Sequence, residues 1–363
     1  MRTMQQMGRW VWAAVALAGC DRLETATSIA AIEECDGFLC KNSPELLYDG
    51  FHGFPSSGQP NEQGMWIRSV DNRPQLYDAS GGAWDLHVEE HRIIGKRASG
   101  ETLRGPKLKK ATIVIDRESA PTFVIRIDAV REIIFPFGKK QKLDAYTMIR
   151  YLIHEPPPPP FPTGRDRMVC NRMPIPSPGE QIDDLLGMNA EEVVVFAGDF
   201  LDIHNARIWC NGSWINFGCA GHTLAKLLLT RNTCQSQERR PGDDEATLAR
   251  ARQATLKLLV ADYCDIGAHF TVSGEPLVWK GGLITDFATD PTTLEARWNE
   301  RGAICLQIPR LQANPAPPEA GFPPNIWTDI VGKCQNRTPP HCANTNPSDF
   351  DGALRVSANR LAL

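Results

Sequence analysis

Apolar and polar residues alternate along the first half of the chain, which is the spacing typical of half-buried β-strands. In one run Trp84, Leu86 and Val88 alternate with polar residues, and the run from Phe123 to Ala129 follows the same pattern. Further β-rich runs, separated by Gly, Pro and Asp, cover residues 113–115, 146–153 and 193–197. This half of the chain is therefore predicted to form an antiparallel sheet or sandwich.

The spacing of apolar residues changes after residue 220. Leu224, Leu227 and Leu228 follow Gly221 at helical spacing. A second helix is predicted behind the acidic residues 243–245, which favour a helix N-terminus, and its apolar face comprises Leu248, Ala251, Thr255, Leu258 and Leu259. We therefore expect an α+β fold: a β-rich antiparallel sheet or sandwich, then two core-packed helices and a hairpin, stapled by disulfides.

The N-terminus has the pattern of a secretory signal. Arg2 and Arg9 supply positive charge, and the apolar run from Trp10 to Ala18 is too short to span a bilayer. The ending Leu17-Ala18-Gly19-Cys20 resembles a bacterial lipoprotein signal, which implies that the Cys20 thiol is diacylated and becomes the new N-terminus. An ordinary signal peptide that contains Cys20 is the alternative. Both interpretations predict a protein of the cell envelope, and the first predicts attachment to the membrane through the lipid.

The rest of the chain divides by composition. We predict a signal peptide over residues 1–19, a tether over 20–64, one domain over 65–310, and a Pro-rich tail over 311–363 that wraps the surface. The run Pro156 to Pro160 adopts the extended polyproline conformation; a stiff connection between strands is favoured over a docking site for a proline-reading partner.

The net charge and the cysteine pattern argue against several classes of partner and cofactor. A net charge of −4 and a pI near 6.1 give no basic field, so nucleic acid is not an expected partner. The absence of any C-x-x-C argues against thioredoxin-like redox catalysis and zinc knuckles, and we expect no cofactor and no metal. Ten cysteines besides Cys20 are expected to form disulfides in an oxidising compartment: Cys35, Cys40, Cys170, Cys210, Cys219, Cys234, Cys264, Cys305, Cys334 and Cys342.

The end of the second predicted helix reads Ala261-Asp262-Tyr263-Cys264. The runs 214–219, 225–226, 294–298 and 302–305, in this order around that motif, resemble the ADYC-domain proteins, a family without an established activity found mainly among envelope lipoproteins of myxobacteria. The resemblance spans roughly residues 100 to 310. Many members carry a second cysteine where this chain has Leu227, so the resemblance does not transfer a disulfide connectivity.

The catalytic alternative is a hydrolase that uses Cys219 as its nucleophile. Cys219 is predicted to lie between a strand and a helix N-terminus, a placement that activates a thiol and that papain-like cell-wall peptidases use. His269, at the start of an apolar-polar run, would be its base, with His222 as a second candidate base and Asp262 or Asp286 as the orienting acid. An oxidised Cys219 would exclude this hydrolase.

Two further sequence patterns, a zinc-binding motif and a set of tryptophans, give weaker support to a function. The residues from His87 to His91 fit H-x-x-E-H, but that zinc motif requires a helix, and on a strand these histidines would be about 13 Å apart. Tryptophans could line a glycan-binding platform, although core positions are commoner for them; the candidates are Trp214, Trp279, Trp298 and Trp327.

Asp262 and Tyr263 are expected to be structural: the Tyr ring fills core volume while its hydroxyl finds a buried partner, and the Asp accepts backbone N–H groups beyond the helix. The sequence thus favours a non-catalytic binding or structural module, with an envelope protein or a glycan as its ligand, and makes the cysteine hydrolase the alternative.

Overall fold

The computed structural model describes residues 53–135, 141–154, 168–170, 188–189, 191–237, 239, 242–271, 278–281, 294–313, 325–345 and 353–358, together with the backbone of 34–35. The predictions for Cys20, Cys40, Asp286 and the proline run 156–160 lie outside the described residues, as does the pairing of Cys35.

Twelve strands form one antiparallel sheet, in the order β2-β13-β12-β11-β10-β9-β5-β6-β7-β8, with β3 paired to β9 and β4 to β5. Its strands are β2 (Gly53–Pro55), β3 (Met65–Ile67), β4 (Ser69–Val70), β5 (Arg73–Tyr77), β6 (Ala83–Glu89), β7 (Arg92–Lys96), β8 (Thr102–Arg104), β9 (Thr112–Arg117), β10 (Phe123–Ile134), β11 (Lys142–Leu152), β12 (Glu192–Asp202) and β13 (Arg207–Cys219).

This sheet curls back on itself and encloses a core. Strands β6 and β7 pack against β12, and β7 also packs against β11. The Tyr146 hydroxyl oxygen on β11 accepts the main-chain N–H of Ile93 on β7 at 2.7 Å, which joins the two sides of the curl. We call the apolar residues inside it the inner core; Leu86, Ile125 and Phe217 belong to it. The alternation seen in the sequence therefore reflects one enclosed face and one outer face.

A second, five-stranded antiparallel sheet has the order β1-β14-β17-β15-β16. Its strands are β1 (Glu34–Cys35), β14 (Val278–Gly281), β15 (Leu294–Asn299), β16 (Gly302–Leu306) and β17 (Arg355–Ala358). The described residues hold four α-helices: α1 (Thr223–Leu229), α2 (Glu245–Val260), α3 (Arg310–Ala313) and α4 (Ile326–Cys334).

Helix α2 lies between the two sheets, because it packs on β13 on one side and on β15 and β17 on the other. Its N-cap is Asp244, whose side chain accepts the N–H of Thr247 at 2.7 Å. Apolar residues of α1, α2 and the small sheet meet the outer face of β12 in what we call the outer core, which includes Phe196, Leu259 and Trp298. The predicted α+β fold, with its sheet, two core helices and hairpin (β15 and β16), is confirmed.

One detail of the strand prediction is wrong. Ala129 was expected to share the apolar face of Ile125 and Ile127, but the register of β10 shifts at a β-bulge between Ile127 and Ala129. The extra residue reverses the facing of the following side chains, so Val130 packs against the inner core instead.

The tail and the tether also differ from the prediction. Residues 355–358 do not wrap the surface; they form β17, which lies between β14 and β15, and its Ser357 is fully buried. Residues 53–55, assigned to the tether, form β2 and pair with β13. Both segments pair with strands far away in sequence, and composition carries no signal for such pairing.

Candidate functional site

The family-like motif begins where α2 ends. Ala261 takes the left-handed conformation with φ +54°, and its N–H donates to carbonyls of the last helical turn, which terminates the helix. The carboxylate of Asp262 then accepts the main-chain N–H groups of Ile266 at 3.1 Å and Gly267 at 3.0 Å. The predicted role of Asp262, accepting backbone bonds in the turn, is confirmed.

A buried ion pair underlies this turn. Lys257 and Asp262 are both fully buried, and the Lys257 Nζ lies 2.5 Å from Asp262 Oδ2 and 2.7 Å from Asp265 Oδ1. The same Nζ donates to the carbonyl oxygen of Asn205 at 2.9 Å. The charge of Lys257 is thus compensated within the fold, and removal of either partner would leave an uncompensated buried charge.

Tyr263 is fully buried and stacks between Phe270 and Trp298. Its hydroxyl donates to Glu295 Oε1 at 2.7 Å, and the Arg310 Nε donates to the same oxygen at 2.6 Å. Burial raises the pKa of the Tyr263 hydroxyl well above its usual value, so this group stays protonated at neutral pH. The predicted role of Tyr263, a core ring with a buried hydroxyl partner, is also confirmed.

The motif's last residue, Cys264, forms a disulfide with Cys334 at the end of α4. Close packing of the small sheet completes the site: a Cβ on Gly302 would lie 2.7 Å from the carbonyl oxygen of Tyr263. All four motif residues are buried and engaged with other parts of the fold. This site joins the end of α2 to the small sheet, and the side chains of the four motif residues face the protein interior.

The described residues contain four disulfides, which include eight of the ten cysteines expected to be oxidised. They are Cys170–Cys219, Cys210–Cys234, Cys264–Cys334 and Cys305–Cys342.

The structure does not bring the alternative catalytic pair together. Cys219 packs in the inner core, whereas the space beside its neighbour Gly218 faces Ala225 of α1 on the other side of the sheet. His269 lies near the Lys257 and Asp262 charges on that other side, and burial lowers its pKa. Its backbone, at residues 269–271, is not in a strand. Cys219 in a disulfide has no thiol with which to attack a carbonyl.

His222, the second candidate base, is the N-cap residue of α1 and is buried, and burial lowers its pKa to about 4. The H-x-x-E-H segment forms a β-hairpin: His87 lies on β6, and Glu90 and His91 form the turn with positive φ. His91 is buried with its ring edge against Phe135. No group of three or more metal-ligating side chains occurs in the part of the chain that the structure describes.

An aromatic cluster on β12 and β13 contains Trp214, a tryptophan already considered from the sequence, and two rings that sequence reasoning missed, Phe200 and Trp209. Phe200 on β12 lies 4.5 Å, centroid to centroid, from both Trp209 and Trp214 on β13. Trp209 is 46% exposed, the largest exposed aromatic side chain among the described residues. Of the other tryptophans considered for a platform, Trp279 and Trp298 are buried in the outer core. We call Phe200, Trp209 and Trp214 the aromatic cluster.

The cluster depends on an irregularity of β13. Asn211 pairs with Gly198 and Ile215 pairs with Ala197, so residues 212–214 bulge out of the ladder. Gly198 has a φ of +97°, which favours glycine at this point. The bulge brings Trp214 back onto Phe200. A signal in the sequence is the segment Asn211-Gly212-Ser213, whose turn-forming residues interrupt an otherwise apolar strand.

These features define a disulfide-stapled α+β protein whose most distinctive local structure is the buried turn at residues 261–264. Comparison with protein families identifies an ADYC domain over residues 178–312. This range begins before β12 and ends in α3, so it contains both core helices, the motif and the β15–β16 hairpin. Comparison with curated proteins and with solved structures found no match.

Helices long and apolar enough to cross a membrane were sought in the described residues, and none was found.

Proposed function

We propose that this protein is a lipid-anchored, non-catalytic binding module of the cell envelope. The observation that carries the non-catalytic part is the burial of the whole 261–264 motif, whose polar atoms hold the helix end, the small sheet and α4 together. The envelope location and the anchor are supported by the N-terminal pattern that ends at Cys20.

The proposed ligand surface is the aromatic cluster. An exposed indole on a rigid strand pair offers a large apolar face with little conformational entropy to lose, which is what stacking on a sugar ring requires. The chain between Trp209 and Trp214 includes Asn211 and Ser213, two polar, uncharged residues that are not fully buried. We therefore propose a neutral carbohydrate as the ligand class.

Binding is tested by calorimetric titration of the folded protein with a panel of soluble oligosaccharides. Trp209→Ala should weaken the affinity for a bound sugar about tenfold or more, since a loss of about 1.4 kcal/mol corresponds to that factor. The matched control is Val70→Ala, because Val70 is 55% exposed and belongs to a different part of the sheet. Equal affinity of wild type and Trp209→Ala, or no binding by any sugar, would contradict the carbohydrate proposal.

The anchor is tested separately. Cells that express the full chain should retain it in the membrane fraction, and Cys20→Ala should release it or block its maturation. Mass analysis of the mature N-terminus should find an acylated Cys20. An unmodified N-terminus at another residue would contradict the anchor and leave the sugar-binding test unaffected.

A further inference from the structure

One of the four described disulfides differs from the others in exposure. Cys210 is exposed and Cys234 is half-buried, whereas the six cysteines of the other three bridges are all buried. Cys210 lies on β13 directly after Trp209, and Cys234 lies in the loop that joins α1 to α2. This bridge therefore lies at the protein surface and outside the two apolar cores, where a reductant in solution meets it first.

A buried arginine faces this bridge. The Arg252 Nη2 lies 3.0 Å from the Cys210 Sγ, and the Arg252 side chain is only 3% exposed. Its Nη1 donates to Gln237 Oε1 at 2.6 Å, and no described residue accepts a hydrogen bond from its Nε. The guanidinium is therefore positioned to stabilise negative charge that develops on Cys210.

Two carboxyl groups also face the bridge. Glu245 Oε1 lies 3.2 Å from Arg252 Nη2 and 3.8 Å from Cys210 Sγ, but its side chain is 57% exposed and also pairs with Arg239 at 2.7 Å. Water and Arg239 screen its repulsion of a thiolate. Asp199 is fully buried and accepts the main-chain N–H of Cys234 at 3.0 Å. This bond fixes the main chain of Cys234 against β12.

We propose that the Cys210–Cys234 bridge is a thiol-exchange site. A dithiol reductant in solution opens this bridge while the rest of the fold stays intact. One thiolate of the dithiol attacks the Cys234 sulfur; the S–S bond breaks, and its electron pair leaves on Cys210 as a thiolate beside Arg252. The second thiol of the reductant loses its proton to solvent and attacks the mixed disulfide. The reductant is released as a disulfide, and Cys234, which takes up a proton, is released as a thiol.

The experiment uses dithiothreitol on the folded, oxidised full chain, with acid quenching at intervals, alkylation and peptide mapping. Cys210 and Cys234 should be labelled at least about tenfold faster than Cys264 and Cys334, because exposure and a stabilised leaving thiolate both accelerate exchange. Simultaneous opening of all bridges would show that only global unfolding admits the reductant, and would overturn the proposal.

Arg252 is tested by substitution. Arg252→Met should slow the opening of the Cys210–Cys234 bridge several-fold, because the leaving thiolate loses its cation, while Arg252→Lys should retain most of the rate. The matched control is Arg250→Met, since Arg250 is an exposed arginine of the same helix. A purely structural role of Arg252 predicts the opposite sign, because a destabilised fold opens its bridges faster. An unchanged or faster rate in Arg252→Met would therefore refute the role assigned to the guanidinium.

Discussion

The buried carboxyl of Asp199 is predicted to make the free energy of unfolding depend on pH. This carboxyl is fully buried on β12, next to the residues that face the bulge of β13, and burial raises its pKa to about 7, against the opposing effects of the Cys234 N–H and the Arg252 charge. A carboxyl whose pKa is higher in the folded chain than in the unfolded chain stabilises the fold at low pH. This stabilisation is fully present below the unfolded-state pKa and is lost as the pH rises through the folded-state pKa.

The magnitude follows from the two pKa values. The usual value is 3.8 and the value in the fold is about 7, and each unit corresponds to about 1.4 kcal/mol. The whole shift therefore corresponds to about 4 kcal/mol, of which about 2 to 3 kcal/mol should be lost between about pH 5 and about pH 8. Asp199→Asn removes this titration, so the variant should gain stability relative to wild type by that amount across the same interval.

The measured quantity must be the difference in the free energy of unfolding between variant and wild type. Buried histidines change this free energy with pH in the opposite direction to Asp199. Burial lowers the pKa of His91 and His222 to about 4. Their stabilisation is present above the unfolded-state pKa and is lost as the pH falls. Both histidines remain in Asp199→Asn, so their contributions cancel in the difference.

The assay is urea unfolding of the oxidised protein at a series of pH values, with the free energy of unfolding obtained by linear extrapolation. The control is Asp116→Asn: the bond from Arg68 lowers the pKa of Asp116, so that carboxyl is ionised in both states throughout the interval and its difference should be flat. A difference for Asp199→Asn that does not change with pH would refute the reasoning from burial.

Three further predictions concern the motif and its surroundings. Gly302→Ala should lower the free energy of unfolding by about 1–3 kcal/mol in urea titrations, because φ is +114° and the new Cβ would meet the Tyr263 carbonyl; Gly332→Ala in α4, with open space beside it, is the control. Tyr263→Phe should cost about 1–3 kcal/mol in the same assay, since Glu295 loses a donor; an unchanged unfolding midpoint would show that the hydroxyl adds nothing. Cys219 should resist alkylation in the native, non-reduced protein, and rapid labelling at about pH 6 would instead indicate an activated thiol.

The elements of this fold are predictable from the sequence where the signal is local. Alternation at Trp84, Leu86 and Val88 identifies β6, and the acidic residues ahead of Glu245 locate the start of α2 within one turn. The roles of Asp262 and Tyr263 were also accessible, because a helix end needs acceptors for backbone N–H groups and a buried hydroxyl needs a partner.

Disulfide and strand pairing between residues far apart in the chain could not be predicted from the sequence. Cys334 and Cys342 are close in sequence, yet they bind Cys264 and Cys305 respectively. Cysteine counts allow many connectivities and favour none of them. The aromatic cluster is hidden for the same reason, because Phe200 and Trp214 meet only after strand pairing and the bulge at residues 212–214 are in place.

The ADYC domain itself depends on residues outside the matched range of 178–312. Within that range, Cys264 and Cys305 bind cysteines that lie beyond residue 312, and Cys219 binds Cys170, which precedes it. The small sheet likewise requires β17, which separates β14 from β15, and β13 is paired on its free side by β2. The family match therefore covers the two core helices, the buried turn and the hairpin, whereas the strands and disulfides that pack against them extend from β2 to β17.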